Sequence, residues 1–164
     1  MQNAKDTFYA TLRDRLAALN PARTMVVRGA TRPAVLVEEN ELVSSATAAD
    51  IFRLRWTTLK VDSAAALPLV AMTCEIRYAT AGNAGNGGMD RGRLLAAMDQ
   101  ELAAALATAP QNATKTSYSA TGATPQATSL FWSDPVFGAA TVTDERLERM
   151  ATVEVFSHQE AGER

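Results

Sequence analysis

The sequence has one cysteine and one histidine. A lone Cys74 cannot close an internal disulfide, so nothing calls for an oxidising compartment. One thiol and one imidazole are too few for an ordinary zinc site, and no metal is expected. Aromatic residues make up 6% and charged residues 21%, with a formal net charge of -2. That near-balance gives no basis for nonspecific nucleic-acid binding, which depends on neutralising phosphates. No run approaches the roughly 20 apolar residues that span a bilayer. The opening stretch Met1–Phe8 is polar and lacks the apolar core of a signal peptide. A soluble protein made in the cytoplasm is the expectation, with no membrane partner.

At 164 residues, one domain spanning 1–164 has enough apolar content for a real core. The central unit runs from Pro68 to Ala109. Along Leu69–Thr80, Val70, Met72, Cys74, Ile76 and Tyr78 share one face, while Leu69, Ala71, Thr73, Glu75 and Arg77 share the other. Strict alternation predicts a strand with one buried face. A glycine-rich loop, Ala81–Gly88, leads into a helix over Asp90–Ala109, whose Leu94, Leu95, Met98, Leu102, Ala105 and Leu106 form a stripe. Asp90 is suited to cap its amides. Ala96, Ala103, Ala104 and Ala107 line the opposite face, which either meets another subunit or reflects an alanine-rich composition.

Before this unit, Asn3–Leu19 reads as a helix with Phe8, Leu12, Leu16 and Leu19 inward. Thr24–Gly29 and Ala34–Glu39 read as a hairpin about Ala30–Pro33, and Glu38, Glu39 and Glu41 as a solvated turn. Asp50–Asp62 is a long strand whose apolar phase shifts, predicting a bulge near Thr57-Thr58. The short link Ser63–Leu67 makes the next strand an antiparallel neighbour. After the unit, Pro110–Ser129 is Thr, Ser, Ala, Gln and Asn with almost no bulky apolar residue, and reads as a long loop, either held by neighbouring chains or packed as a surface loop on its own body. Leu130–Trp132 and Val136-Phe137 are short apolar pieces, Thr141–Glu145 a turn, Arg146–His158 the last strand and Gln159–Arg164 a charged tail. The fold class is α+β: a mostly antiparallel sheet of four to six strands with two main helices on one face.

A search for chemistry finds none. Gly82, Gly85, Gly87 and Gly88 sit where phosphate cradles occur, but Met89-Asp90 follows them instead of Lys-Ser/Thr, and Asp90 opposes an anion. His158 lies at a strand end without an evident nucleophile, and Cys74 falls on the buried strand face. Trp56 shares its face with Phe52 and Leu54, unlike the exposed stacking aromatics of an RNA-binding sheet. Arg53, Arg55, Glu75 and Arg77 are placed to pair across strands on the open face. No catalytic residue, metal or cofactor is expected, and the chain reads as a non-enzyme.

Three stretches carry a family resemblance. They are the opening helix with Phe8-Tyr9-Ala10-Thr11-Leu12-Arg13, the unit Ile76–Leu106 with Met89-Asp90-Arg91-Gly92-Arg93-Leu94-Leu95 entering its helix, and Phe131-Trp132-Ser133-Asp134-Pro135-Val136-Phe137-Gly138 before the closing strand. In this order the chain resembles phage tail terminator (tail-completion, minor tail) proteins. The resemblance implies a structural virion protein, located in the tail or neck, whose hexameric ring caps the tail tube, stops its polymerisation and offers the head-joining surface. The implied partners are other copies of the chain, the tube protein and a head-completion protein, with DNA passing through the lumen without specific binding. A different neck or connector component of the same particle is the first alternative, with a small enzyme or a nucleic-acid-binding domain behind it. On this view the subunit and tube contacts fall at Gly82, Asn83, Gly85, Asn86 and Gly87, at Lys115, Thr116, Tyr118 and Thr121 in the 110–129 assembly loop, and at Arg53 and Arg55. A closed ring requires two different faces on each subunit.

Overall fold

The computed structural model describes residues 1–41, 48–64, 67–82, 87, 89–160 and 163. Among these residues two helices, α1 (Gln2–Leu19) and α2 (Asp90–Ala107), pack with ten strands: β1 (Thr24–Val27), β2 (Ala30–Pro33), β3 (Val35–Val37), β4 (Phe52–Asp62), β5 (Leu69–Thr80), β6 (Asn112–Ser119), β7 (Gly122–Trp132), β8 (Val136–Phe137), β9 (Thr141–Thr143) and β10 (Arg146–His158). The class is α+β, as the sequence implies. The main sheet has eight strands, more than expected, in the order β3-β4-β5-β10-β7-β6, with β8 and β9 also on β10; β1 and β2 form a separate pair. All pairings are antiparallel except β3 with β4.

The alternating residues of β5 meet the same set on β10 in one register, so Cys74 faces Val153 and Ile76 faces Ala151. These side chains form one core with Phe8, Leu12 and Leu16 of α1 and Leu95, Met98, Leu102 and Leu106 of α2. Both helices therefore cover one face of the sheet. Phe8 sits at the centre, with Trp56 of β4 and Trp132 of β7 edge-on at 5.7 and 5.6 Å. Such edge-to-face contacts add to the stabilisation from buried area. The expected bulge is present: the β4–β5 register shifts between Trp56 and Thr58.

Four expectations are corrected. Pro110–Ser129 is not a loop. It holds β6 and most of β7, joined by the two-residue turn Ala120-Thr121. Its threonines supply β-branched side chains that favour extended backbone, and packing against α1 replaces the bulky residues the segment lacks. The early hairpin is β1–β2 about Arg28-Gly29, both at positive φ (51° and 81°). A turn with two such residues matches the twist of a hairpin, whereas Ala34–Glu39 supplies the parallel strand β3. At the helices, Leu19 and Leu94 lie outside their stripes and are exposed. Met89, not Asp90, is the N-cap of α2, and it makes no side-chain cap hydrogen bond.

Candidate assembly surface

The residues expected to contact neighbours divide three ways. Asn83, Gly85 and Asn86 lie outside the described residues. Gly82 and Gly87 both have positive φ (68° and 61°). At Gly82 the Arg91 side chain lies across the backbone and its Nε donates to the Ala81 carbonyl at 3.1 Å. The base of the glycine loop is thus pinned by the first turn of α2. Tyr118 and Thr121 are exposed at the tip of the β6–β7 hairpin, and Arg55 is exposed on β4. Thr116 is half-buried: its N–H donates to Thr7 Oγ1 at 2.9 Å, and that hydroxyl approaches its carbonyl at 3.3 Å.

Two expected contact residues are interior, which corrects their assignment. Lys115 is 0% exposed. Its Nζ donates to Glu163 Oε2 at 2.5 Å and to the His158 carbonyl at 2.6 Å. Burial opposes charge on Glu163, but hydrogen bonds from Lys115, the N-terminal ammonium and the Glu160 amide outweigh it and hold that carboxyl below its ordinary range. Arg53 is 5% exposed and lies within 3.9 Å of Glu38, which also stands 3.9 Å from Arg55. Alternation puts Arg53 on the face away from the helices, and there the cluster Ala34, Leu36 and Ile51, with Met25 and Val27 of the β1–β2 hairpin, forms a second small core.

The ionisable groups sequence reasoning missed also serve the fold. Asp99 of α2 accepts from the Tyr78 hydroxyl and from Arg149 Nη1 at 2.8 Å, tying α2 to β5 and β10. Burial is the main cause that raises the Tyr78 phenol, with the bond to Asp99 adding to it. Arg23 grips Glu101 with Nε and Nη2, each at 2.9 Å, while Asn20 donates to the same carboxylate. Burial raises the Glu101 carboxyl, yet these donors bring it below its ordinary value. Burial likewise pushes the Cys74 thiol up, as expected of an inert filler. His158 is half-buried, and its Nδ1 is buried without a hydrogen-bond partner among the described residues. Among the described residues no group of three His, Cys, Asp or Glu is placed to hold a metal ion, and no helix is long and apolar enough to cross a membrane. A depression of about 310 Å³ beside β10 is lined by Arg77, Glu148, Arg149, Met150, Gly138 and Thr141.

What stands out at the surface is apolar. Leu59 and Val61 on β4, Leu67 just before β5, Met89 and Leu94 at α2's start, and Tyr118, Phe131, Val136 and Val142 are all exposed. Phe131 stacks on Phe156 on the face away from the helices, at 5.3 Å.

No protein-family model and no curated protein matches the sequence. Among solved structures, one chain without a functional name aligns over 99% of this chain and 97% of its own length, at 14% identity and a TM-score of 0.47. That likeness carries no inference about fold or function.

Proposed function

We propose that this chain is a structural protein of a phage tail or tail-like particle, a self-associating subunit whose ring caps the tail tube and presents a head-joining surface. The reading rests on the resemblance of its three stretches to tail terminators. The observation that carries it in three dimensions is the set of large apolar side chains left exposed at strand margins and hairpin tips, Leu59, Val61, Tyr118, Val136 and Val142 among them. Contiguous exposed apolar surface marks places where proteins meet other proteins, and Leu59 and Val61 stand two apart on one face of one strand. The ionisable groups, by contrast, are largely committed to pairs that hold the fold: Lys115 with Glu163, Arg23 with Glu101, and Arg149 with Asp99. A formal net charge of -2 suits a lumen that DNA traverses without sticking.

Native mass of the purified protein, alone and with tube protein, tests the proposal. The expected result is a monomer or weak oligomer alone and a ring on the tube end. Uniform decoration along the tube, or a monomer under both conditions, would overturn it.

A further inference from the structure

We infer that copies of this chain join edge to edge, strand β4 of one along strand β9 of the next; this rests on the ring reading above. A strand edge exposes unpaired backbone donors and acceptors, and proteins generally cover or blunt such edges. The chain does so at two places. The Thr7 hydroxyl takes the Thr116 amide at the β6 margin, and the Tyr9 hydroxyl donates to the Val35 carbonyl on β3 at 3.3 Å. Two other margins are bare among the described residues. On β4, pairing with β3 ends at Leu54, and all of Thr57–Asp62 is exposed. Across the sheet, β9 pairs only with Arg146–Glu148 of β10, and all of Thr141–Thr143 is exposed.

These two margins suit each other in three respects. They lie on opposite sides of one sheet, separated by β5 and β10, which gives the two unlike faces that a head-to-tail ring needs. Their directions also agree. From β4 through β5 and β10 to β9 every pairing is antiparallel, so a copy brought up by rotation continues the alternation, its β4 antiparallel to the first copy's β9. The side chains match as well. Leu59 and Val61 are 44% and 45% exposed and Val142 is 73% exposed, while Lys60 on one margin complements the exposed Asp144-Glu145 turn beside the other. Leu59 is level with Val155 of β10, whereas Val142 is level with Leu147. The margins are therefore offset along the strands, and strands joined this way run oblique to the ring axis, as in any closed barrel.

Disulfide trapping under assembly conditions decides the matter. Val61→Cys and Val142→Cys place thiols on the two exposed margins, while the native Cys74 is buried and stays out of the reaction. The double variant should give a ladder of linked multimers under mild oxidation, an equimolar mixture of the single variants should give linked dimers, and neither single variant alone should link. Self-linking by Val61→Cys alone would overturn the inference in favour of two-fold edge pairing. A double variant that assembles by native mass yet never links would overturn the edge contact and leave the ring reading standing. A double variant that stays monomeric with and without tube protein would remove both. Far-UV circular dichroism matching the parent confirms that each variant is folded.

Discussion

Gly82 shows how one residue fixes the base of a loop. Its φ of 68° already disfavours a side chain, and a Cβ there would meet Arg91 Cγ at 2.3 Å. Gly82→Ala should therefore destabilise the domain by about 1–3 kcal/mol through backbone strain and displacement of Arg91, read from the urea midpoint. By contrast, nothing among the described residues lies within 4 Å of a Cβ built at Gly87, although its φ is also positive, so Gly87→Ala meets chiefly backbone strain and should cost less. Glu101 gives the pH prediction. Its folded carboxyl titrates below the ordinary value of 4.5, so it contributes stability above that value, lost as pH falls through the folded value. Glu163 has the same sign. Stability should thus fall on acidification below about pH 4.5, and Glu101→Gln should flatten that limb while lowering stability at pH 7. Urea titrations at several pH values check both. An unchanged acid limb would mean that other carboxylates dominate.

At the scale of elements, the β6–β7 hairpin matters most, because its sequence suggests a dispensable loop and its structure does not. Lys115 reaches Glu163, Thr116 bonds to Thr7, and Trp132 at the end of β7 donates its indole N–H to the Leu106 carbonyl at 3.0 Å. Deleting 112–129 would leave the Glu163 carboxylate without its lysine and uncover α1. The deletion should abolish cooperative folding, seen as lost amide dispersion in NMR; a folded deletion protein would restore the loop reading. Elements whose alternation involves bulky residues are legible from sequence: the bounds of β5 and β10, and the bulge in β4, follow from which side chains can share a face. The hairpin was not legible because its Thr and Ser residues give no contrast between faces. Its signals are subtler, β-branched residues at high density and Gly122 closing a tight turn at φ 140°. Of the residues expected at contacts, Tyr118, Thr121 and Arg55 are exposed, as a contact requires, although the hairpin that carries the first two is not legible in the sequence. The burial of Lys115 could not, because its carboxylate partner lies 48 residues away.

Both helices and the central strands share the larger of two cores, and Phe8 is its junction. It touches Trp56 on one flank of the sheet and Trp132 on the other, so the two tryptophans of the chain report on opposite strands through one ring. If the core is a single cooperative unit, tryptophan fluorescence and far-UV circular dichroism must trace the same urea transition. Phe8→Ala should cost about 3–5 kcal/mol, the range for emptying a buried aromatic site, and should move both probes together. Separate transitions in the parent protein would mean that the β6–β7 flank and the β3–β4 flank melt independently. They would then act as two units leaning on α1, and a neighbour gripping one flank would stabilise only that half. Coincident transitions would instead mean that a contact made at either margin of the sheet is felt across the entire subunit.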